Sequence, residues 1–128
     1  MIDIEFFQSV KDRSTHNIQS LDRIIRWMTT NETLKQNTLR YRQWLQDTPL
    51  ATLSEKSEKK VNHFPAVIFA GTFTGTGKAE NINQISGLFV VDFDHIVDIM
   101  EVRQMLESDI HTFILFTSPS GDGLKLVL

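Results

Sequence analysis

The carboxyl-terminal third of the chain alternates between apolar and amphipathic segments in an order that only a few folds accommodate. Residues 87–92 (GLFVVD) and 111–116 (HTFILF) are apolar almost throughout, as is typical of strands buried on both faces. Between them, Asp98 and Glu101 have the spacing of a helix start. The apolar residues that follow recur at helical spacing as far as Ser108. A strand, a helix and a strand in this order predict a parallel pair joined by a right-handed crossover.

A short polar turn leads from the second of these strands into a third. Residues 117–123 (TSPSGDG) are small and polar, and residues 124–128 (LKLVL) are apolar apart from Lys125. Two strands joined by so short a Gly-containing turn predict an antiparallel hairpin. The expected fold class is therefore α+β, with a mixed β-sheet and helices packed against it.

The upstream residues have a more helical character. The elements predicted there are a helix at 17–29 capped by Ser14 or Thr15, a helix at 32–47, a loop or frayed extension at 51–62, a strand at 64–73 and a mobile loop at 74–84. Together these predict one compact domain overall, with a helical segment at 1–56 and an α+β core at 57–128.

Composition narrows the class of protein. The chain has 128 residues, is 41% hydrophobic and contains no cysteine, which favours a soluble, reduced, cytoplasmic domain without disulfides. Neither a signal peptide nor an apolar run of the ~20 residues needed to cross a bilayer is visible, so no membrane partner is expected. Residues 1–64 carry ten basic and eight acidic side chains, whereas residues 65–128 carry three and eight. The second half is therefore the one suited to cations.

Asp92 and Asp94 are the candidate catalytic and metal-binding residues. They follow an apolar strand at positions i and i+2, so in an extended chain they point to the same side, roughly 6.5–7 Å apart. Oxygen ligands of this kind suit Mg²⁺ or Mn²⁺, which also bind substrate phosphates. His95 is a possible second ligand or neighbour. The alternative is that both Asp residues only end the strand in a polar turn.

The turn at 117–123 and the strand after it form a candidate nucleotide-binding element. Small residues allow backbone N–H groups to approach an anion, and hydroxyls and a lysine add donors. The residues concerned are Ser118, Ser120, Gly121, Gly123 and Lys125. The alternative is an ordinary hairpin turn with an exposed lysine.

Two other motif matches are weaker. Residues 71–78 (GTFTGTGK) resemble a P-loop but fail its spacing, because five residues separate Gly71 from Gly77 and Ala79 follows Lys78. The Asp-x-Asp pattern is also found in phosphatases of the haloacid dehalogenase type. Position 96 here is Ile96, however, where those enzymes have Thr, so this remains a weak alternative.

Three motifs in order, at 65–73 (PAVIFAGTF), 86–96 (SGLFVVDFDHI) and 117–128 (TSPSGDGLKLVL), resemble the VirE amino-terminal domain family, related to the archaeo-eukaryotic primase superfamily. The resemblance covers about residues 57–128 and implies a primase-like core. It implies that Asp92 and Asp94 hold catalytic metals and that Ser118, Ser120 and Lys125 contact the nucleotide's phosphates. Lys125 stands where that superfamily usually has histidine. The superfamily's third acidic residue is expected beyond Leu128, so the chain is expected to be truncated and inactive alone.

The function expected from this resemblance is that of the amino-terminal part of a metal-dependent nucleotidyltransferase in a replication or mobile-element protein. Its partners would be a nucleoside triphosphate, a DNA template and a downstream helicase-type domain. Candidate contacts to template phosphates are Arg40, Arg42, Lys59 and Lys60. The alternative is a catalytically inactive nucleic-acid or protein-binding module with the same fold.

Overall fold

The computed structural model describes residues 2–11, 17–75 and 77–128, and the class observed there is α+β, as predicted. The helices are α1 (Leu21–Thr30), α2 (Glu32–Asp47), α3 (Leu53–His63) and α4 (Ile99–Glu107). The strands are β1 (Asp3–Phe7), β2 (Asn17–Ser20), β3 (Ala66–Ile68), β4 (Gly71–Phe73), β5 (Ile82–Ile85), β6 (Val90–Phe93), β7 (Ile114–Thr117) and β8 (Leu124–Val127). A single 3-10 turn lies at Ala79–Asn81.

The chain forms two compact units, Met1–Gly87 and Leu88–Leu128. The predicted boundary at 56/57 falls within α3. Among the described residues, no helix combines the length and the apolar character that a membrane span requires.

In the first unit, β1 is the central strand of an antiparallel sheet of order β2-β1-β3, and β4 pairs with β5. Ile4 and Phe7 of β1 are fully buried, and Leu21 and Ile24 of α1 are nearly so. Glu5 is also fully buried. Its Oε1 accepts a 2.8 Å hydrogen bond from the backbone N–H of Phe73, which ties β1 to β4.

In the second unit, the sheet has the order β6-β8-β7, and both neighbouring pairs are antiparallel. The predicted hairpin of the last two strands is therefore confirmed. The prediction that the strands before and after α4 are parallel neighbours is wrong. The strands β6 and β7 do run in the same direction, but β8 lies between them and pairs with each. The expected mixed sheet is thus observed as separate antiparallel sheets.

The register of β8 assigns every side chain of this unit's sheet to one of two faces. Residues opposite each other in antiparallel strands point to the same face, so Asp92, Lys125 and Phe116 form one cross-strand row. Thr117 belongs to the other face. Its Oγ1 accepts a 2.7 Å hydrogen bond from Arg103 of α4, so α4 packs on the face opposite the Asp92–Lys125 row.

The helix predicted at 17–29 is shorter than expected. Residues Asn17–Ser20 form β2, and α1 begins at Leu21, where the Ser20 side chain caps the helix by accepting from the N–H of Arg23. Ile18 fits the spacing of a helix, but residues 17–20 pair with β1 and form an edge strand of the sheet instead. The predicted caps, Ser14 and Thr15, lie outside the described residues. The helix predicted at 32–47 is confirmed as α2.

The segment predicted as a loop at 51–62 is helix α3 instead. Thr52 and Glu55 form a reciprocal capping box at its start, and such a box satisfies two of the N–H groups that a helix end leaves without partners. The segment lacks an apolar period and is nevertheless helical, because polar residues cap the start of the helix.

Three strand predictions need smaller corrections. The strand predicted at 64–73 is broken into β3 and β4, and the loop predicted at 74–84 contains the 3-10 turn and most of β5. The first strand of the second unit is β6, which is exposed or half-buried and not buried on both faces. Its carboxyl end lies at Phe93, so Asp92 is inside the strand and Asp94 directly follows it.

Candidate functional site

Asp92 and Lys125 face each other across neighbouring strands. They are direct partners in the β6–β8 register, and the Lys125 Nζ donates a 2.8 Å hydrogen bond to Asp92 Oδ1. The side chains are 30% exposed for Lys125 and 50% exposed for Asp92. The two sequence motifs therefore meet in one half-exposed ion pair, accessible to a charged ligand.

Asp94 lies beside the turn that precedes β8. A side chain at Gly123 would place its Cβ 2.5 Å from the carbonyl oxygen of Phe93 and 3.6 Å from the Cα of Asp94. The turn thus approaches the Phe93 carbonyl so closely that only glycine fits at position 123, and it lies in ordinary contact with the backbone of Asp94. The predicted carboxylate pair and the predicted turn are brought together.

The chain bends sharply after Asp94. His95 has a φ of 53°, which is uncommon for a residue with a side chain. The backbone N–H of Ile96 donates a 2.8 Å hydrogen bond to the Asp122 carbonyl, which fixes this bend to the turn. His95 Nδ1 lies 3.0 Å from Asp122 Oδ2, so in this structure the imidazole contacts Asp122.

The serine hydroxyls of the turn form hydrogen bonds within the turn itself. The Ser118 and Ser120 Oγ atoms are 3.0 Å apart, and the Ser120 hydroxyl donates a 2.7 Å hydrogen bond to Asp122 Oδ1. The buried Ser118 Oγ also accepts from the N–H of Gly123, and the Ser118 carbonyl accepts from the N–H of Gly121. These bonds hold the turn in a closed shape.

Asp122 adds a negative charge to this turn. The hydrogen bond from Ser120 lowers the pKa of the Asp122 carboxyl below the ordinary value of 3.8. Desolvation acts in the opposite direction, and the contact with His95 lowers the pKa further. The carboxyl is therefore ionised at neutral pH. An anionic ligand would be repelled by this carboxylate, so the positive group available to a phosphate at this site is Lys125.

The carboxylates suit a cation that keeps other ligands. No cluster of three or more His, Asp or Glu side chains that would enclose a metal is found in the described ranges. Carboxylate oxygens, such as those of Asp92 and Asp94, are ligands that suit an ion such as Mg²⁺, which usually keeps several waters and binds substrate phosphates through the remaining positions.

The basic residues predicted to contact nucleic acid lie in the first unit and separate into two sets. Arg40 and Lys59 line one cavity of 190 Å³, together with Trp44. Arg42 and Lys60 are not among the described residues that line it. Lys59 Nζ lies 5.2 Å from the centre of the Trp44 ring, within the range of a cation–π contact.

Two residues that shape the second unit were not predicted. Asp122 fixes the bend after Asp94, and its position between two glycines was the only available signal. Arg103 joins α4 to β7 through Thr117 and forms a 3.3 Å ion pair with Glu107. Only the Arg103–Glu107 spacing is visible in the sequence, since the contact with Thr117 depends on the fold.

No curated protein and no solved structure matches the chain. A family model described as the BT4734-like, N-terminal domain matches residues 58–128, more than half of the chain. The matching family is neither the VirE amino-terminal family nor the primase family, so the family predicted from the three motifs is corrected. The matched region contains the whole Asp92–Lys125 site, and the chain belongs to the BT4734-like N-terminal domain family.

Proposed function

We propose that the unit at 88–128 binds a nucleoside triphosphate together with Mg²⁺ or Mn²⁺, as the nucleotide-holding part of a metal-dependent nucleotidyl transfer. The observation that carries the proposal is the 2.8 Å ion pair between Asp92 and Lys125. It supports the proposal because a carboxylate, which can bind a metal ion, and an ammonium group, which can bind phosphate, lie side by side on the sheet face opposite α4.

Binding of such a ligand would replace the contact within the ion pair by contacts to the ligand. Lys125 would transfer its hydrogen bond from Asp92 to a phosphate oxygen, and the Asp92 carboxylate would become available to the cation. A partly exposed ion pair of this kind contributes only about 0–1 kcal/mol to stability, so it is easily exchanged for ligand contacts. Asp94 would supply the second carboxylate. The bound metal would offset part of the triphosphate charge.

The turn at 118–123 has a positioning role in this proposal. Its hydroxyls bind one another and Asp122, and the Ser118 hydroxyl accepts from the N–H of Gly123, which packs against the Phe93 carbonyl next to Asp94. Ser118, Ser120, Gly121 and Gly123 thereby set the place of the second carboxylate. Lys125 carries the contact to phosphate.

A second candidate is a binding module without catalytic activity. It is favoured by the same ion pair, because Asp92 and Lys125 neutralise each other without any ligand. In this case the pair serves to join β6 to β8, and metal and nucleotide have no effect on the unit.

Titration calorimetry separates the two candidates. We would measure Mn²⁺ binding, and then nucleoside triphosphate binding at saturating Mn²⁺, to the full chain and to three variants. The Asp92→Asn/Asp94→Asn variant is expected to lose the binding of both Mn²⁺ and nucleotide. Lys125→Gln is expected to keep Mn²⁺ binding. It should weaken nucleotide binding about tenfold or more, because a hydrogen bond to a charged group is removed. Asp109→Asn, which removes an exposed carboxylate between α4 and β7, is the matched control and should bind as the wild type does.

Circular dichroism would show that each variant is folded. Absence of binding in folded wild-type protein, or equal binding in all four proteins, would contradict the metal–nucleotide proposal. Either result would favour the binding module.

A further inference from the structure

The first unit contains a cavity of 420 Å³, within the size range of small-molecule sites. It lies above the face of the β2-β1-β3 sheet that carries Phe6 and Asn17, which are direct partners in the register. Residues of α1, including Arg23 and Trp27, complete the wall. The described residues that line it all precede Gly87, so the cavity belongs to the first unit.

One wall of the cavity is aromatic. Phe6 and Trp27 meet edge to face, with ring centres 5.2 Å apart and planes at 77°. Both side chains are half-buried, so part of each ring faces the open space. Aromatic rings presented in this way are the surfaces on which unpaired bases stack in proteins that bind single strands.

The remaining wall is rich in side-chain amides. The amide residues that line the cavity are Gln8, Asn17, Gln19, Asn31 and Asn37. Amides are the side chains that match the edges of bases, because each offers a donor and an acceptor side by side.

Several of these amides use either their N–H groups or their oxygen for hydrogen bonds within the fold, but not both. Gln19 Nε2 donates to Asn17 Oδ1 over 2.6 Å, and Asn31 Oδ1 caps α2 by accepting from the N–H of Leu34. Within the described part of the chain, no hydrogen bond occupies Gln19 Oε1, Asn17 Nδ2 or Asn31 Nδ2. The cavity therefore offers both donors and acceptors to a planar polar ligand.

A second cavity, of 190 Å³, shares two lining residues with the first, and two basic residues contribute to its wall. Asn37 and His63 line both cavities, and Arg40 and Lys59 line the second. The described residues that line either cavity include no carboxylate. An uncharged sugar or a free base has no negative charge for these basic residues to bind. A nucleotide has one, because its phosphate is joined to its base through one sugar.

From this arrangement we infer that the first unit binds single-stranded nucleic acid, with one base in the cavity of Phe6 and Trp27 and the adjoining phosphate at Arg40 and Lys59. A base paired in a duplex reaches such a cavity only by leaving its stack, so a single strand is the ligand that we expect here. This site does not depend on the metal–nucleotide site of the second unit.

Fluorescence anisotropy of a labelled single-stranded oligonucleotide tests the inference. The full chain is titrated in EDTA, which removes any contribution from a metal site. Arg40→Ala/Lys59→Ala is expected to weaken binding about tenfold and to lower the slope of log K against log salt by about 0.7 for each phosphate that is no longer neutralised. Lys35→Ala/Lys56→Ala makes the same charge change on the same two helices away from both cavities, and is expected to cost much less affinity.

The base pocket has its own pair of variants. Asn17→Ala/Gln19→Ala removes two lining amides, and is expected to weaken binding without changing the salt slope. Gln36→Ala/Gln43→Ala removes two amides that bond exposed carboxylates of α2, and should bind as the wild type does. Circular dichroism would confirm that all of these variants are folded.

Tryptophan fluorescence locates the base. The chain has two tryptophans, one in each cavity. In a Trp44→Phe variant, the oligonucleotide is expected to quench Trp27 by stacking.

Three results would overturn the inference. The first is that the folded protein does not bind the oligonucleotide, or that the matched control variants weaken its binding as much as the variants at the two cavities do. The second is an unlabelled duplex or a free mononucleotide that competes as well as the single strand. The third is oligonucleotide binding that leaves Trp27 fluorescence unchanged. DNA and RNA strands of one sequence would be compared to identify the preferred sugar.

Discussion

Gly123 is the residue on which the geometry of the candidate site depends most closely. The hydrogen bonds of the turn place it against β6, where a Cβ would lie 2.5 Å from the Phe93 carbonyl oxygen and 3.1 Å from Ser118 Oγ. The first of these is backbone of a paired strand, which cannot move aside as a flexible side chain can. Asp94 directly follows Phe93, so the position of this glycine bears on where the second carboxylate begins.

We expect Gly123→Ala to destabilise the chain by about 1–3 kcal/mol, the usual range for overpacking a well-packed position. Urea unfolding followed by circular dichroism would measure this. Gly87→Asn is the control. Gly87 has a φ of 82°, and a Cβ added there would have no atom within 4 Å, while Asn tolerates the left-handed region. Equal stabilities of Gly123→Ala and wild type would show that the turn does not press on β6.

At the scale of elements, helix α3 owes its start to two polar residues. The Thr52 side chain accepts from the N–H of Glu55, and the Glu55 carboxylate accepts from the N–H of Thr52 over 2.7 Å. The helix has no buried side chain, so its capping accounts for a larger share of its stability than in a helix with a buried face.

Thr52→Ala is expected to destabilise the first unit by about 1 kcal/mol, the typical cost of removing an N-cap. Ser54→Ala, at an exposed position within the first turn of the same helix, should change stability by less than about 0.5 kcal/mol. Both would be measured by urea unfolding, with the helical signal as the probe. A cost at Ser54 as large as that at Thr52 would contradict the role assigned to the capping box.

The elements that the sequence predicts well are those with a strong local signal. Helix α2 has the predicted bounds, and the Asp98 cap of α4 accepts from the N–H of Glu101 as its spacing indicates. Strand β2 was mistaken for helix because Ile18 fits a helical stripe, while its pairing with β1 is a contact between distant residues. Insertion of β8 between β6 and β7 is a long-range contact of the same kind.

The candidate site was predictable in its residues and less so in its geometry. Residue type and spacing identified Asp92, Asp94 and Lys125. Their meeting depends on β8 pairing with β6, which no local pattern encodes. The engagement of the turn hydroxyls with Asp122 was also hidden, because it depends on how the turn closes. The cavity of Phe6 and Trp27 was missed for the same reason, since its walls come from β1, β2, α1 and α2.

At the scale of the whole molecule, charge differs between the two units. Residues 88–128 carry two basic and seven acidic side chains, whereas residues 1–87 carry eleven and nine. A cation is therefore attracted to the second unit, while phosphates of a nucleic acid strand are better accepted by the first. The charge of each unit therefore agrees with a metal ion bound to the second unit and a nucleic acid strand bound to the first.

Hydrogen exchange measured by mass spectrometry tests this assignment across the full chain. Ligand binding to the native state slows exchange in the elements that it stabilises, by up to RT ln(1 + [L]/Kd), about 2.7 kcal/mol at a hundredfold excess over Kd. Nucleoside triphosphate with Mn²⁺ is expected to slow exchange in peptides of β6 and β8, and a single-stranded oligonucleotide in EDTA in peptides of β1, β2 and α1. Asp92→Asn/Asp94→Asn should abolish the first effect and leave the second. If both ligands protected the same peptides, or if the variant lost both effects while folded, the assignment of one ligand to each unit would be wrong.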